Sequence, residues 1–176
     1  MSSDTKKIVL LVEDDEDVNV VMKGLIGRYE DSVELVSSQN AAQALTALTG
    51  KWPDFMVLDI MMSYQGKREV LGGGADLDDR ETGLHLLEHL RAREVDEGRR
   101  SVWVAVTTAR AEPGFRELVW QALGERGHLF NKPYDDLLLE AMLCHELGIP
   151  CLLDAEFVQE LLKEAEEERA KRQVKS

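Results

Sequence analysis

Two patterns of apolar and polar positions alternate along this chain. Short, nearly continuous apolar runs recur at 7–12 (KIVLLV), 55–58 (FMVL), 102–106 (VWVAV) and 128–130 (HLF). Runs of this kind suit strands buried on both faces of a parallel sheet. Residues 33–36 read as one further strand. Between the runs lie segments with apolar residues at helical spacing. Residues 17–28 carry Val18, Val21, Met22 and Leu25, and residues 40–48 are rich in Ala and Leu, with Gly50 placed to end that helix. Thr82 can cap a helix over 83–93 that turns Leu84, Leu87 and Leu90 inward. Pro113 suits the first turn of a helix reaching about residue 123. A helix over 135–147 follows, with Asp135 or Asp136 at its positive end.

This alternation predicts an α/β fold, a five-stranded parallel sheet with helices on its faces. Two segments stand outside the five β/α units: 63–81, and everything after Gly148. The expected division is a domain over 6–148 and a helical extension over 149–176. In the extension, Gly148-Ile149-Pro150 breaks the preceding helix. A new one is expected over 154–172, with Ala155, Val158, Leu161, Leu162 and Ala165 as its apolar stripe. That stripe either packs on its own domain or forms a dimer or partner helix.

In an open parallel sheet the carboxyl ends of the strands share one edge, and ligands bind in the crevice there. Glu13, Asp14, Asp59, Thr108 and Lys132 all stand at or just past such ends. Three carboxylates, a hydroxyl and an ammonium brought together can hold a divalent cation and a phosphoryl group. Taken alone, the acidic run 13–17 is equally a solvated start to a helix, where negative charge is favourable. The run also excludes a nucleotide-phosphate loop at the first turn, which would need glycines and exposed amides.

The chain has 176 residues, 44% of them hydrophobic, enough for a core of its own. A net charge of −13 argues against nucleic acid and anionic membranes as partners. No apolar run approaches the ~20 residues that span a bilayer. The MSSDTKK start lacks the features of a secretory signal, so a soluble, cytoplasmic protein is expected. Cys144 and Cys151 fit no metal spacing and are expected to be reduced thiols in or near the core. His85-Leu86-Leu87-Glu88-His89 matches a short zinc pattern. Its histidines and Glu88 fall on the solvated face of an ordinary helix, so no metal is expected there.

With LLVEDDEDV, VLDIMM, VTTAR and NKPY in this order, the sequence resembles the CheY-like receiver domain of bacterial response regulators over roughly 6–147, apart from 63–81. The resemblance implies a flavodoxin-like, doubly wound sheet of order 2-1-3-4-5 and a phospho-acceptor at Asp59. It implies Mg²⁺ (or Mn²⁺) held by Asp14, Asp59 and the Met61 backbone carbonyl, with Glu13 acting through water. Lys132 and the Thr108 hydroxyl would contact phosphoryl oxygens, with Ala109 beside them and Pro133 following the lysine. The implied partners are a histidine kinase or histidine phosphotransfer protein and a downstream protein, with a homodimer through the last helix as a further option. The implied role is a single-domain response regulator in two-component or phosphorelay signalling that promotes its own phosphorylation and dephosphorylation. A phosphorylation-independent adaptor on the same fold is the alternative. An aspartate-dependent phosphohydrolase typically places a second Asp two residues after its nucleophile, where this chain has Met61.

The chain departs from the family pattern at three places. Gly83 stands 24 residues after Asp59, where the family usually reaches that glycine within about eight. The intervening stretch, with Gly72-Gly73-Gly74 and Asp76, Asp78 and Asp79, is either a tolerated surface insertion or a lid beside Asp59. Leu129 occupies the position of the family's aromatic switch residue, with Phe130 next to it. The chain also continues past its fifth helix, with a tail over 151–176 that is expected to be too short for a helix-turn-helix output domain.

Overall fold

The structure is a computed structural model that describes residues 5–62, 65 and 81–173. The expectations placed on Ser63, Tyr64 and the glycine- and aspartate-rich stretch 66–80 therefore lie outside the described residues. The chain divides into two compact units, Met1–Tyr134 and Asp135–Ser176.

The first unit alternates β1 (Lys7–Val12), α1 (Glu16–Gly27), β2 (Val33–Ser38), α2 (Ala41–Gly50), β3 (Phe55–Asp59), α3 (Thr82–Asp96), β4 (Trp103–Thr108), α4 (Pro113–Leu123) and β5 (Gly127–Asn131). Its strands form one parallel sheet in the order β2-β1-β3-β4-β5. Right-handed crossovers make the consequence geometric. The chain moves one way from β1 to β2 and the other way thereafter, so α1 lies on one face and α2, α3 and α4 on the other. Leu10, Val12, Met56, Leu58, Val104, Val106 and Leu129 turn to the second face. They meet Ala44 and Leu48 of α2, Leu84, Leu87 and Leu90 of α3, and Phe115 and Val119 of α4. Val9, Leu11, Val57 and Ala105 alternate with them and are also buried, which is why the strands read as unbroken apolar runs.

The starts of α1 and α2 follow side-chain capping. Asp15 accepts from the backbone N–H groups of Asp17 and Val18, so α1 begins at Glu16. Asn40 accepts from Gln43 N–H at the start of α2. Thr82 was expected to cap α3 but is its first helical residue. Its side chain is fully buried and its hydroxyl has no hydrogen-bond partner among the described residues, while Glu81 occupies the cap position. Arg91 joins α3 to the far ends of two neighbours. Its guanidinium pairs with Glu94 at 2.8 Å and donates to the carbonyls of Val102 (2.8 Å), Leu123 (3.3 Å) and Arg126 (2.8 Å). The last carbonyls of α4 thus acquire a cationic partner.

In the second unit α5 (Asp136–Leu147) packs against α6 (Ala155–Gln173). Asp135 caps α5, and Gly148 ends it in the left-handed region (φ 64°), where a side chain would be strained. Asp154, expected inside the last helix, instead accepts from the N–H groups of Glu156 and Phe157 at its start. Of the predicted stripe, Ala165 is buried, Val158, Leu161 and Leu162 are half-buried, and Ala155 is exposed. Cys144 is buried and Cys151 half-buried. No helix among the described residues is long and apolar enough to cross a membrane.

Candidate functional site

The carboxyl ends of the strands are brought level by the sheet register. Val12 lies opposite Leu58, Asp59 opposite Thr107, and Thr108 opposite Asn131. The residues that follow each strand therefore meet at one edge. Glu13, Asp14 and Asp59 each offer a carboxylate oxygen, and these oxygens lie within 4.8 Å of one another. Among the described residues this is the one group of three such side chains that could hold a metal ion, and the His85–His89 pair forms no counterpart.

The three carboxylates differ in setting. Glu13 (2% exposed) and Asp59 (4% exposed) are buried, whereas Asp14 faces solvent. Lys132 reaches between the buried pair, with Nζ 3.0 Å from Glu13 Oε2 and 2.9 Å from Asp59 Oδ2. The lysine is placed by its own backbone, since its N–H donates to the Thr108 carbonyl at 2.8 Å. The Lys132–Pro133 peptide is cis. The other oxygen of Asp59 accepts the Met61 N–H at 3.1 Å.

Electrostatics make this a strained arrangement. At an effective dielectric near 20, two carboxylate charges within 4.8 Å repel by about 3 kcal/mol or more. One ammonium cannot neutralise both buried acids. Burial, and then the Asp59 charge, push the Glu13 carboxyl up to about 7 in spite of the opposing pull of Lys132. Burial alone would lower the Lys132 pKa, but the Asp59 and Glu13 carboxylates outweigh it and raise the pKa. The cluster is an all-oxygen donor set with excess negative charge, which fits a hard divalent cation.

The acidic run 13–17 is thereby divided. Glu13 and Asp14 join Asp59 in the acidic cluster, Asp15 caps α1, and Glu16 and Asp17 fill its first turn. Thr108 ends β4, fully buried, and its hydroxyl accepts the Arg110 N–H at 3.0 Å. Ala109 follows it, exposed, and Met61 is 39% exposed. Leu129 is packed in the core face opposite Val106. Strand alternation turns Phe130 to the other face, where its ring meets His128 at 4.8 Å.

The fold adds one supporting residue, Asn19, and gives the reason for another, Gly83. Asn19, buried on α1, donates to the Glu13 carbonyl at 2.9 Å and holds the start of the acidic loop. An Asn aligned with the apolar face of a helix was its only signal. Gly83 was noted for its position, but its purpose is steric. A Cβ there would lie 2.3 Å from the Asp59 carbonyl oxygen and 2.5 Å from Ile60 Cα. The first turn of α3 therefore rests directly on the backbone that carries Asp59.

Solved structures share this architecture. A receiver domain of a DNA-binding response regulator from Colwellia psychrerythraea aligns with a TM-score of 0.62 at 17% identity, covering 81% of this chain and 99% of that one. The chain has the receiver-domain fold. A second receiver domain, from a sensor histidine kinase of Pseudomonas aeruginosa with magnesium coordinated in its active-site cleft, matches with a TM-score of 0.59 at 23% identity over 82% of this chain and 99% of that one. The beryllofluoride-activated receiver domain of RstA from Klebsiella pneumoniae matches at 0.58 and 20% identity, over 80% and 98%. No family model matches the chain, and no curated protein matches it. The receiver fold and its strand-end edge are what these likenesses establish.

Proposed function

We propose that this chain is a Mg²⁺-dependent phospho-acceptor in two-component or phosphorelay signalling, with Asp59 as the accepting residue. The observation that carries the reading is the meeting of Glu13, Asp14 and Asp59 within 4.8 Å, with Lys132 bonded to Asp59 at 2.9 Å, at the edge where the receiver fold binds ligands. The donor would be a phosphohistidine on a histidine kinase or histidine phosphotransfer protein. An Asp59 carboxylate oxygen attacks phosphorus, the P–N bond breaks, and the imidazole nitrogen leaves with the bonding pair and takes a proton. Attack of water on the same phosphorus later returns the free carboxylate and inorganic phosphate. Such transfers depend on positioning and charge stabilisation rather than on covalent help from the protein.

The chain's own groups divide that work. Lys132 orients Asp59 and neutralises charge gathering on the phosphoryl oxygens. The Met61 N–H fixes the other Asp59 oxygen. The Thr108 hydroxyl and the region of Ala109 would receive the remaining phosphoryl oxygens. Asp14, Asp59 and the Met61 carbonyl would hold the cation, with Glu13 behind them, and a bound Mg²⁺ would offset the negative charge of the cluster. The output is contact with a downstream protein.

A small acyl phosphate with Mg²⁺ tests the reading. Intact mass should rise by one phosphoryl group, and Asp59→Asn should take up none. Mg²⁺ alone should raise the melting temperature by mass action, about 3 kcal/mol of stabilisation at a hundredfold excess over Kd, with a smaller effect in Asp59→Asn. A protein that stays unlabelled by every donor and melts indifferently to Mg²⁺ would be a phosphorylation-independent adaptor.

A further inference from the structure

The connection from β4 to α4 carries one residue whose backbone bonds to β4 and whose side chain reaches the starts of α3 and α4. The backbone N–H of Arg110 donates to the Thr108 hydroxyl at 3.0 Å. Its guanidinium lies over the Phe115 ring, 3.6 Å from the ring centroid, and approaches Glu112 at 3.4 Å and Glu81 at 3.7 Å. Phe115 is the first buried residue of α4, and Glu81 is the cap residue of α3. Two residues beyond Glu81, the Gly83 N–H donates to the Ile60 carbonyl at 3.0 Å, immediately after Asp59. A guanidinium stacked on a ring while facing carboxylates is held in plane and in position, as a lysine would not be. Leu129, buried in the core, offers no ring that could swing, and Phe130 faces the other side of the sheet.

We propose that Arg110 is a positioning residue, a clasp that fixes the Thr108 hydroxyl and ties its position to the first turns of α3 and α4. This rests on the phospho-acceptor reading for its consequence: loading of Asp59 is read out at those two helix starts. When the Thr108 hydroxyl turns to a phosphoryl oxygen, its bond to the Arg110 N–H must lengthen or carry the loop with it. Because the guanidinium is anchored at Phe115 and Glu81, the loop drags both helix starts. A stacked and an unstacked guanidinium are two discrete arrangements, which suits a local charge change with a wider readout.

Residue-resolved hydrogen exchange tests this in two arms. In the unloaded protein, Arg110→Ala and Glu81→Gln should each speed exchange of the residue 110 amide by about fivefold or more, with exchange in β1 and β3 unchanged. In the second arm, Mg²⁺ and beryllofluoride are added as a phosphoryl mimic. Wild type should change its exchange at 81–84 and 113–116, whereas Arg110→Ala should load through Asp59 yet lose most of that change. Arg110→Lys, which keeps charge but not the planar stack, should fall between. Glu81→Gln leaves Arg110 and the acidic cluster in place and decides the question if Arg110→Ala does not fold. Unaltered exchange at residue 110 in both variants, or a helix response in Arg110→Ala equal to wild type, overturns the clasp. Failure of wild type to take up beryllofluoride would instead overturn the phospho-acceptor reading, while the first arm still judges the clasp.

Discussion

Replacing Glu13 by Gln should make stability less dependent on pH, and the structure sets the size of the effect. Glu13 is 2% exposed, and its carboxyl is raised from 4.5 to about 7 by burial and then by Asp59. A raised carboxyl means that the folded state holds the proton more tightly than the unfolded chain. Its contribution is therefore fully present below about pH 4.5 and is lost as pH rises through about 7. Two to three pKa units correspond to about 3 kcal/mol. The wild type should lose roughly that amount from this one group between pH 4.5 and 8 in the absence of divalent cation. Glu13→Gln keeps the shape and an acceptor for Lys132 but cannot ionise, so it escapes the loss. Urea unfolding of both proteins in chelator, at unit steps of pH, gives a difference curve in which the other titrating groups largely cancel. The difference should move in favour of Glu13→Gln by about 3 kcal/mol across the window. Saturating Mg²⁺ should flatten the curve, because a cation favours the ionised form. A difference that is flat in chelator, or that favours wild type as pH rises, would refute the account of Glu13 as a buried acid poorly compensated by one lysine.

Two further outcomes test how the scaffold holds the site. Arg91→Ala should destabilise the fold by about 3 kcal/mol in urea unfolding, since it takes the cation from Glu94 and removes charged hydrogen bonds from the carbonyls of Val102, Leu123 and Arg126; a loss below about 1 kcal/mol would mean that water replaces the guanidinium. Gly83→Ala should cost about 2 kcal/mol or more, because the new methyl would lie 2.3 Å from the Asp59 carbonyl oxygen. It should also slow labelling of Asp59 by an acyl phosphate, and unchanged stability with unchanged labelling would show that α3 can shift freely.

The element pattern was legible because it depends on short-range physics. Strands buried on both faces read as apolar runs, and helices read as 3.6-residue spacing, so the eleven elements among the described residues lie where the sequence suggested. Boundaries moved where a side chain chose between capping and burial. Asp15, Asn40, Asp135 and Asp154 cap, while Thr82, of the same polar class, is drawn into the first turn of α3 and buried. Local composition cannot distinguish these outcomes, because they depend on what packs above each residue.

Which chemical groups stand at the strand ends, namely Glu13, Asp14, Asp59, Thr108 and Lys132, follows from the order of residues along the chain, because parallel pairing of successive strands sends them to one edge. What each group experiences there depends on packing between distant segments. Burial is set by residues distant in the chain, so two neighbouring acids part company: Glu13 is enclosed and its carboxyl is pushed up to about 7, while Asp14 faces water. The same long-range packing places Lys132 between two carboxylates 119 and 73 residues away. It also buries Leu129 in the core and stacks Arg110 on Phe115 beside Thr108. Charge and spacing are properties of the chain. Desolvation and distance, which turn them into a site, belong to the fold.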